Sequence, residues 1–270
     1  MVLVLVAITA PLLAQEEELT EPQRDLKNLV TRIKNKIGQG DVSEQTLTDE
    51  LGEFDALLKK YGNLKTDDVA EILMMKAMLY TQVLKDETTG MILLKKVADE
   101  FPGTKSAEAV ARIIEVEKLK ANLKPGNVFP DFEEHDLKAD PLSVSMFRGK
   151  VLLIDFWATW CGPCVREMPT VVDIYREYHP KGFEIIGISL DSEKDSLVSF
   201  IDKQKITWQQ YFDGQGWNNK LSGRYGVSSI PATFLLDPEG RILSVGLRGD
   251  ELVSAVKKAV AKLDQSDGNR

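Results

Sequence analysis

Cysteine and histidine are nearly absent from this 270-residue chain, which holds only Cys161, Cys164, His135 and His179. A stabilising disulfide framework would need more cysteines at wider separations, because closing a two-residue loop removes little entropy from the unfolded chain. This pair is therefore for chemistry. A zinc site would need two more ligands at metal spacing, and neither histidine sits in a cluster, so no metal is expected. Positive charge is also scarce: 34 Lys and Arg face 42 Asp and Glu, a formal net charge of −8. Such a field repels phosphate backbones and excludes nucleic acid as a partner. A membrane span is missing as well, since crossing a bilayer takes roughly 20 apolar residues. The one long apolar run, Val2 to Ala14, is broken by Thr9 and Pro11 and followed by Glu16, Glu17 and Glu18. Its length suits the core of an export signal, residues 1–14. Against that, no Lys or Arg precedes it and Leu12 is a poor small-residue match before Ala14, so a partly buried helix is the competing reading.

What is present falls into two patterns. From Thr20 to about Asn122 the apolar residues keep a helical period. Leu26, Leu29, Val30, Ile33 and Ile37 share one face; Leu47, Leu51, Phe54, Leu58 and Tyr61 share another. Thr20 and Gln23 have capping-box spacing, and further helices are expected over 67–84, 89–101 and 105–121. The stretch LLKKVADEFPGTKSAEAVARII, 93–114, resembles a tetratricopeptide-like helix pair, and a plain helical bundle fits it equally. Met74, Met75 and Met78 lie at helical spacing and read as core filler. The expected organisation is a helical domain over 15–122, a linker at 123–127 containing Lys124-Pro125-Gly126-Asn127, an α/β domain over 128–264, and a tail at 265–270.

In the α/β part, VLLIDF (151–156) and FEIIGISL (183–190) are apolar runs suited to strands buried on both faces, separated by a helix-length segment. A helix at 193–204, strands near 208–212, 232–236 and 242–246, a short helix near 217–225 and a last helix at 250–263 complete the pattern. Between the first strand and its helix stands Cys161-Gly162-Pro163-Cys164. A Cys-x-x-Cys at the head of a helix puts the first sulfur where unpaired N–H groups and the helix dipole favour an anion. Thiols so placed titrate at about 3.5 to 7.5 instead of about 8.5, which makes Cys161 the nucleophile. Cys164, one turn deeper on a stripe with Met168, Val171, Val172 and Tyr175, is the resolving thiol. Strand alternation puts Asp155 on the face of Val151 and Leu153, where burial raises a carboxyl's pKa and suits it to exchange a proton with Cys164. Glu167, three residues after Cys164, shares its helix face. A buried structural carboxyl and a solvated first-turn glutamate are the competing readings of these two acids.

The stretch FWATWCGPC resembles the active-site segment of thioredoxins. GNVFPDF, CVREMP, ISLDS and GVSSIPATFLLDPEGRI, in that order, resemble the TlpA/ResA-like branch of the thioredoxin superfamily across about 126–262. The resemblance implies an α/β thioredoxin fold, a central mixed sheet flanked by helices with an inserted helix and strand, preceded here by a separate all-α domain. It implies a redox-active Cys161–Cys164 disulfide and proton-transfer roles for Asp155 and Glu167. Ile230-Pro231 would be a cis dipeptide beside the dithiol, with substrate docking on Trp160, Gly162, Pro163, Ile230 and Pro231; Trp157 either shapes that surface or is core. The activity implied is reduction of disulfides in client proteins by an exported, periplasmic protein, with export favoured over membrane anchoring. No cofactor is needed. A membrane thiol electron donor and a protein partner for the helical domain are further expectations. The Gly-Pro dipeptide is that of thioredoxin, near −270 mV, rather than of a strong oxidant near −120 mV. Two rivals stand: a peroxiredoxin-like peroxidase, whose pattern wants Thr or Ser where Ala158 stands, and a binding module in which the helical domain holds a partner.

Overall fold

A computed structural model of the chain describes residues 19–40 and 42–267, in two units that divide between Ile114 and Glu115. The expected export segment, 1–14, lies outside the described residues, as do residues 268–270 of the expected tail.

In the first unit Thr20 caps α1 (Glu21–Gly38) through the reciprocal box its spacing predicts: Thr20 Oγ1 accepts the Gln23 N–H at 3.4 Å, and Gln23 Oε1 accepts the Thr20 N–H at 3.1 Å. α2 (Thr48–Tyr61), α3 (Asp67–Met78), α4 (Glu87–Glu100) and α5 (Lys105–Asn122) follow, with the division between the units falling inside α5, after Ile114. Leu29, Phe54, Ile72, Val97 and Val110 are fully enclosed between them. The continuous helix expected over 67–84 is corrected: α-helix ends at Met78 and a π-helical turn runs Leu79–Leu84, stopped by Lys85 at φ 60°. Both turn types keep apolar residues on one side, so periodicity cannot separate them. Beside this turn α4 approaches so closely that a Cβ on Gly90 would meet Thr81 Cγ2 at 2.1 Å. α4 starts two residues earlier than expected because Asp86 accepts the Thr89 N–H at 3.0 Å. Met75 is core and Met74 packs against it.

The second unit is built on β3 (Val151–Trp157) and β4 (Phe183–Ser189), each buried at every residue and paired in parallel. β5 (Gln209–Phe212) lies parallel to β4, while β6 (Ala232–Leu236) and β7 (Ile242–Val245) run antiparallel, giving the order β5-β4-β3-β6-β7. The helices are α6 (Gly162–Tyr178), which packs against α7 (Lys194–Gln204) and α9 (Gly249–Asp267), and a short α8 (Lys220–Arg224). This is the thioredoxin fold, with α7 and β5 as the inserted pair. The lead-in segment is anchored by aromatic packing: Phe129 meets Tyr225 at 4.7 Å and Phe234 at 5.2 Å, and the Tyr225 hydroxyl donates to the Pro130 carbonyl at 2.7 Å.

Three readings of this unit need correction. A two-stranded hairpin, β1 (Glu134–His135) with β2 (Pro141–Leu142), is not foreseen, because two-residue strands carry no alternation. From it the Leu137 N–H donates to the Gln210 carbonyl at 2.7 Å, on the outer side of β5. On the outer side of β7, the Gly126 N–H donates to the Ile242 carbonyl and the Ile242 N–H to the Asn127 carbonyl, both at 2.8 Å. The inward stripe of α6 is Cys164, Met168, Val171, Ile174 and Tyr178, with Val172 and Tyr175 only half-buried, because steps of three and four from Val171 reach 174 and 178. Finally, α9 runs to Asp267, into the expected tail, since no breaker precedes Gly268 although the apolar pattern stops at Leu263.

Candidate active site

β3 delivers its last residue, Trp157, to a turn whose exit is Cys161, the N-cap of α6. Both cysteines are buried and joined as a disulfide, with Gly162 and Pro163 exposed between them. Cys161 Sγ accepts the Cys164 N–H at 3.2 Å, the hydrogen bond by which an N-cap side chain satisfies the N3 donor. Pro163 at the second helical position offers no N–H, so the Cys164 donor and the helix dipole are what a Cys161 thiolate would feel.

The turn is clamped by Asp191, in the ISLDS stretch, whose sequence alone points to no role for it. Asp191 is 2% exposed. Its two carboxylate oxygens accept the Thr159 N–H, each at 3.1 Å, while Oδ1 accepts the Thr159 hydroxyl at 2.6 Å and Oδ2 the Ser189 hydroxyl at 2.8 Å. Its one legible signal is position, an acid two residues past the end of a buried, largely apolar strand. Asp191→Ala leaves the Thr159 and Ser189 donors unpaired, and should cost about 2 to 4 kcal/mol in the denaturant unfolding of the oxidised protein. A loss under about 0.5 kcal/mol, the size of an ordinary surface change, would show that the clamp carries nothing.

Behind the dithiol a narrow cleft, no larger than a water molecule, is lined by Asp155, Cys164, Glu167, Pro231, Thr233 and Arg248. Asp155 is fully enclosed there, and burial, with the charge of Glu167 as a second cause, pushes its carboxyl from 3.8 up to about 7. Thr233 is its antiparallel register partner. Glu167 is half-buried and engaged: its Oε2 accepts the Gly249 N–H, at the start of α9, at 2.8 Å. A negative group at that helix start is favoured by the dipole, so Glu167 has a structural occupation beside any role in proton transfer.

The Ile230–Pro231 peptide is cis. Pro231 is buried in the cleft wall, Ile230 is half-buried, and the Arg248 guanidinium donates to the Pro231 carbonyl at 2.8 Å. Thr233 Oγ1 donates to the Leu247 carbonyl at 2.9 Å and joins the same loops. Arg248 and Thr233 escape sequence reasoning because their partners are 17 and 14 residues away. The two tryptophans of the turn divide. Trp160 is 53% exposed, whereas Trp157 is core, donating its indole N–H to Gln210 Oε1 at 3.0 Å and packing on Phe200. The reading of Trp157 as part of a docking surface is therefore corrected, since inward alternation at the end of β3 carries it into the sheet's interior. Among the described residues no group of three His, Cys, Asp or Glu side chains converges as a metal site, and no helix is long and apolar enough to cross a membrane.

The AhpC/TSA family matches residues 125–245. Thiol-disulfide oxidoreductase ResA of Bacillus thuringiensis (strain Al Hakam) is 32% identical over 125 residues, 46% of this chain and 70% of the relative. ResA of Geobacillus kaustophilus (strain HTA426) is 33% identical over 126 residues, 47% of this chain and 71% of the relative. The thioredoxin domain of a thiol-disulfide oxidoreductase from Bacteroides vulgatus is 34% identical, with a TM-score of 0.47 over 51% of this chain and 98% of that one. None of these matches accounts for the helical unit. At the identity and coverage shared with ResA, this chain belongs to the ResA-like thiol-disulfide oxidoreductases of the thioredoxin superfamily.

Proposed function

We propose that the chain reduces disulfides in client proteins outside the cytoplasm, through the Cys161–Cys164 dithiol. The observation that carries the reading is Cys161 at the head of α6, its sulfur facing the Cys164 N–H, with a protonatable Asp155 behind Cys164. In the first step the Cys161 thiolate attacks one sulfur of the client disulfide, the client S–S bond breaks, and a client thiolate leaves. In the second, Cys164 gives its proton to Asp155 and attacks Cys161 Sγ. The 161–164 disulfide forms and the other client sulfur leaves as thiolate, which takes up a proton. Two electrons pass to the client, so a further dithiol, assigned here to a membrane thiol donor, must reset the pair. Trp160, Gly162, Pro163, Ile230 and Pro231 form the docking surface. Glu167, half-buried beside Asp155, is assigned the outer position in the proton route. The expected export segment, residues 1–14, supports the location.

Reduction of insulin disulfides by the full chain, with dithiothreitol as donor and hydrogen peroxide turnover measured in parallel, tests the reading. Insulin reduction is expected to dominate; faster peroxide turnover would turn the assignment toward a peroxidase. Iodoacetamide labelling of the reduced protein against pH should give a Cys161 midpoint well below about 8.5, the value of an unperturbed thiol. A midpoint at that value would remove the chemical basis of the proposal.

A further inference from the structure

A second tryptophan stands beside the reactive turn, on a segment that belongs to neither the dithiol nor the cis-proline loop. Trp217 lies in the 3-10 turn Gly216–Asn218 and is 50% exposed. Its ring centroid is 5.8 Å from that of Trp160, the planes inclined at 55°. Trp160 sends its indole N–H to the Leu190 carbonyl at 3.3 Å, so its polar edge turns inward and hydrocarbon is left at the surface. The Trp217 turn is built to hold its position. Asn219, 1% exposed, donates to the Ser189 carbonyl at 3.3 Å and to Asp213 Oδ1 at 3.0 Å, while Asp213 Oδ2 accepts the Lys220 N–H at 2.7 Å. Gly216 takes φ 56° with Ser192 Oγ against the site of its missing Cβ. The Trp160 indole is thus tied to Leu190, just past β4, and the turn that carries Trp217 is tied through Asn219 to Ser189, the last residue of β4.

A rigid support that keeps two large apolar rings in water gains nothing for folding, and tryptophans so placed are characteristic anchors of binding surfaces. The patch adjoins Cys161, to which Trp160 is covalently joined, so a polypeptide that brings a disulfide to Cys161 comes within reach of it. We infer that Trp217 and Trp160, in ring contact with one another, form an apolar platform that takes an aromatic side chain next to the client's cysteine, with Trp217 as the residue that sets the preference. This inference rests on the reading of the client as a disulfide-bearing polypeptide.

The test uses the full chain and two disulfide-linked peptides that differ only in having Phe or Gly beside the cysteine. The quantity read is the ratio of kcat/KM for the Phe peptide to that for the Gly peptide. Trp217→Ala should lower this ratio about tenfold, the equivalent of one aromatic pair, while Trp217→Phe should keep it within about threefold of the wild type. A ratio for Trp217→Ala within about threefold of the wild type overturns the inference, including the case in which both rates fall together, as a purely structural loss would produce. If the wild type reduces neither peptide, the client reading has failed and the inference falls with it; if it reduces both, only the ratio decides.

Discussion

The Cys164→Ser variant is expected to accumulate as a covalent complex with its client, visible as a mobility shift on non-reducing gels and abolished by dithiothreitol. Cys164 sits within disulfide distance of Cys161 on the first turn of α6, so its attack on the mixed disulfide is intramolecular. Serine cannot make that attack. Resolution is left to thiols in solution, and the lifetime of the complex should lengthen by at least roughly 10³-fold, a conservative share of what a fixed neighbouring nucleophile supplies. The Cys161→Ser variant should trap nothing. If trapping follows Cys161→Ser instead, the roles of the two sulfurs are reversed; if neither variant traps a client that the wild type reduces, a mixed disulfide is not on the path.

Asp155→Asn should make the oxidised protein more resistant to unfolding as the pH rises, although it damages the chemistry. In the unfolded chain the Asp155 carboxyl titrates at its ordinary value, 3.8; in the folded protein burial raises this to about 7. Between those values the native state keeps a proton that the unfolded state has released, so the wild type loses stability as pH climbs through the window. The loss is complete above about pH 7, on the order of 4 kcal/mol. Asparagine has no charge to desolvate. The unfolding free energy of the variant relative to wild type should therefore rise by about that amount between about pH 4 and about pH 8, measured in urea. A difference that does not change with pH would mean that Asp155 does not hold its proton in the folded state. In single-turnover experiments the same variant should slow release of the mixed disulfide more than its formation.

The parts of the site that could be read from sequence are those whose causes are local. Cys161 and Cys164 declare themselves because strand, dithiol and helix are consecutive. The inward direction of Asp155 follows from the two-residue period of a strand. Glu167 sits on its predicted side of α6, but its partner, the Gly249 N–H, is 82 residues away and no pattern announces it. Asp191 clamps Thr159 across 32 residues, and Arg248 reaches the Pro231 carbonyl across 17 residues that include β6 and β7. The cis state of Ile230–Pro231 has no local signature, since only about 5 to 6% of X-Pro bonds in folded proteins adopt it, and a resemblance is what points to it. Trp157 and Trp160 are three residues apart in one turn, yet one is buried and the other faces water. Composition treats them alike; the end of β3 separates them.

The small hairpin and the lead-in segment have a consequence for how such a molecule behaves in company. A sheet ends in two outer strands, and each presents backbone groups that can recruit a strand from another chain. Here Leu137 takes up an acceptor on one margin of the sheet, and Gly126 with Asn127 engages a donor and an acceptor on the other. Both margins are four-residue strands. A partly unravelled polypeptide presented to this surface thus finds its backbone docking sites already interrupted at both rims, and self-stacking into fibres loses its template for the same reason.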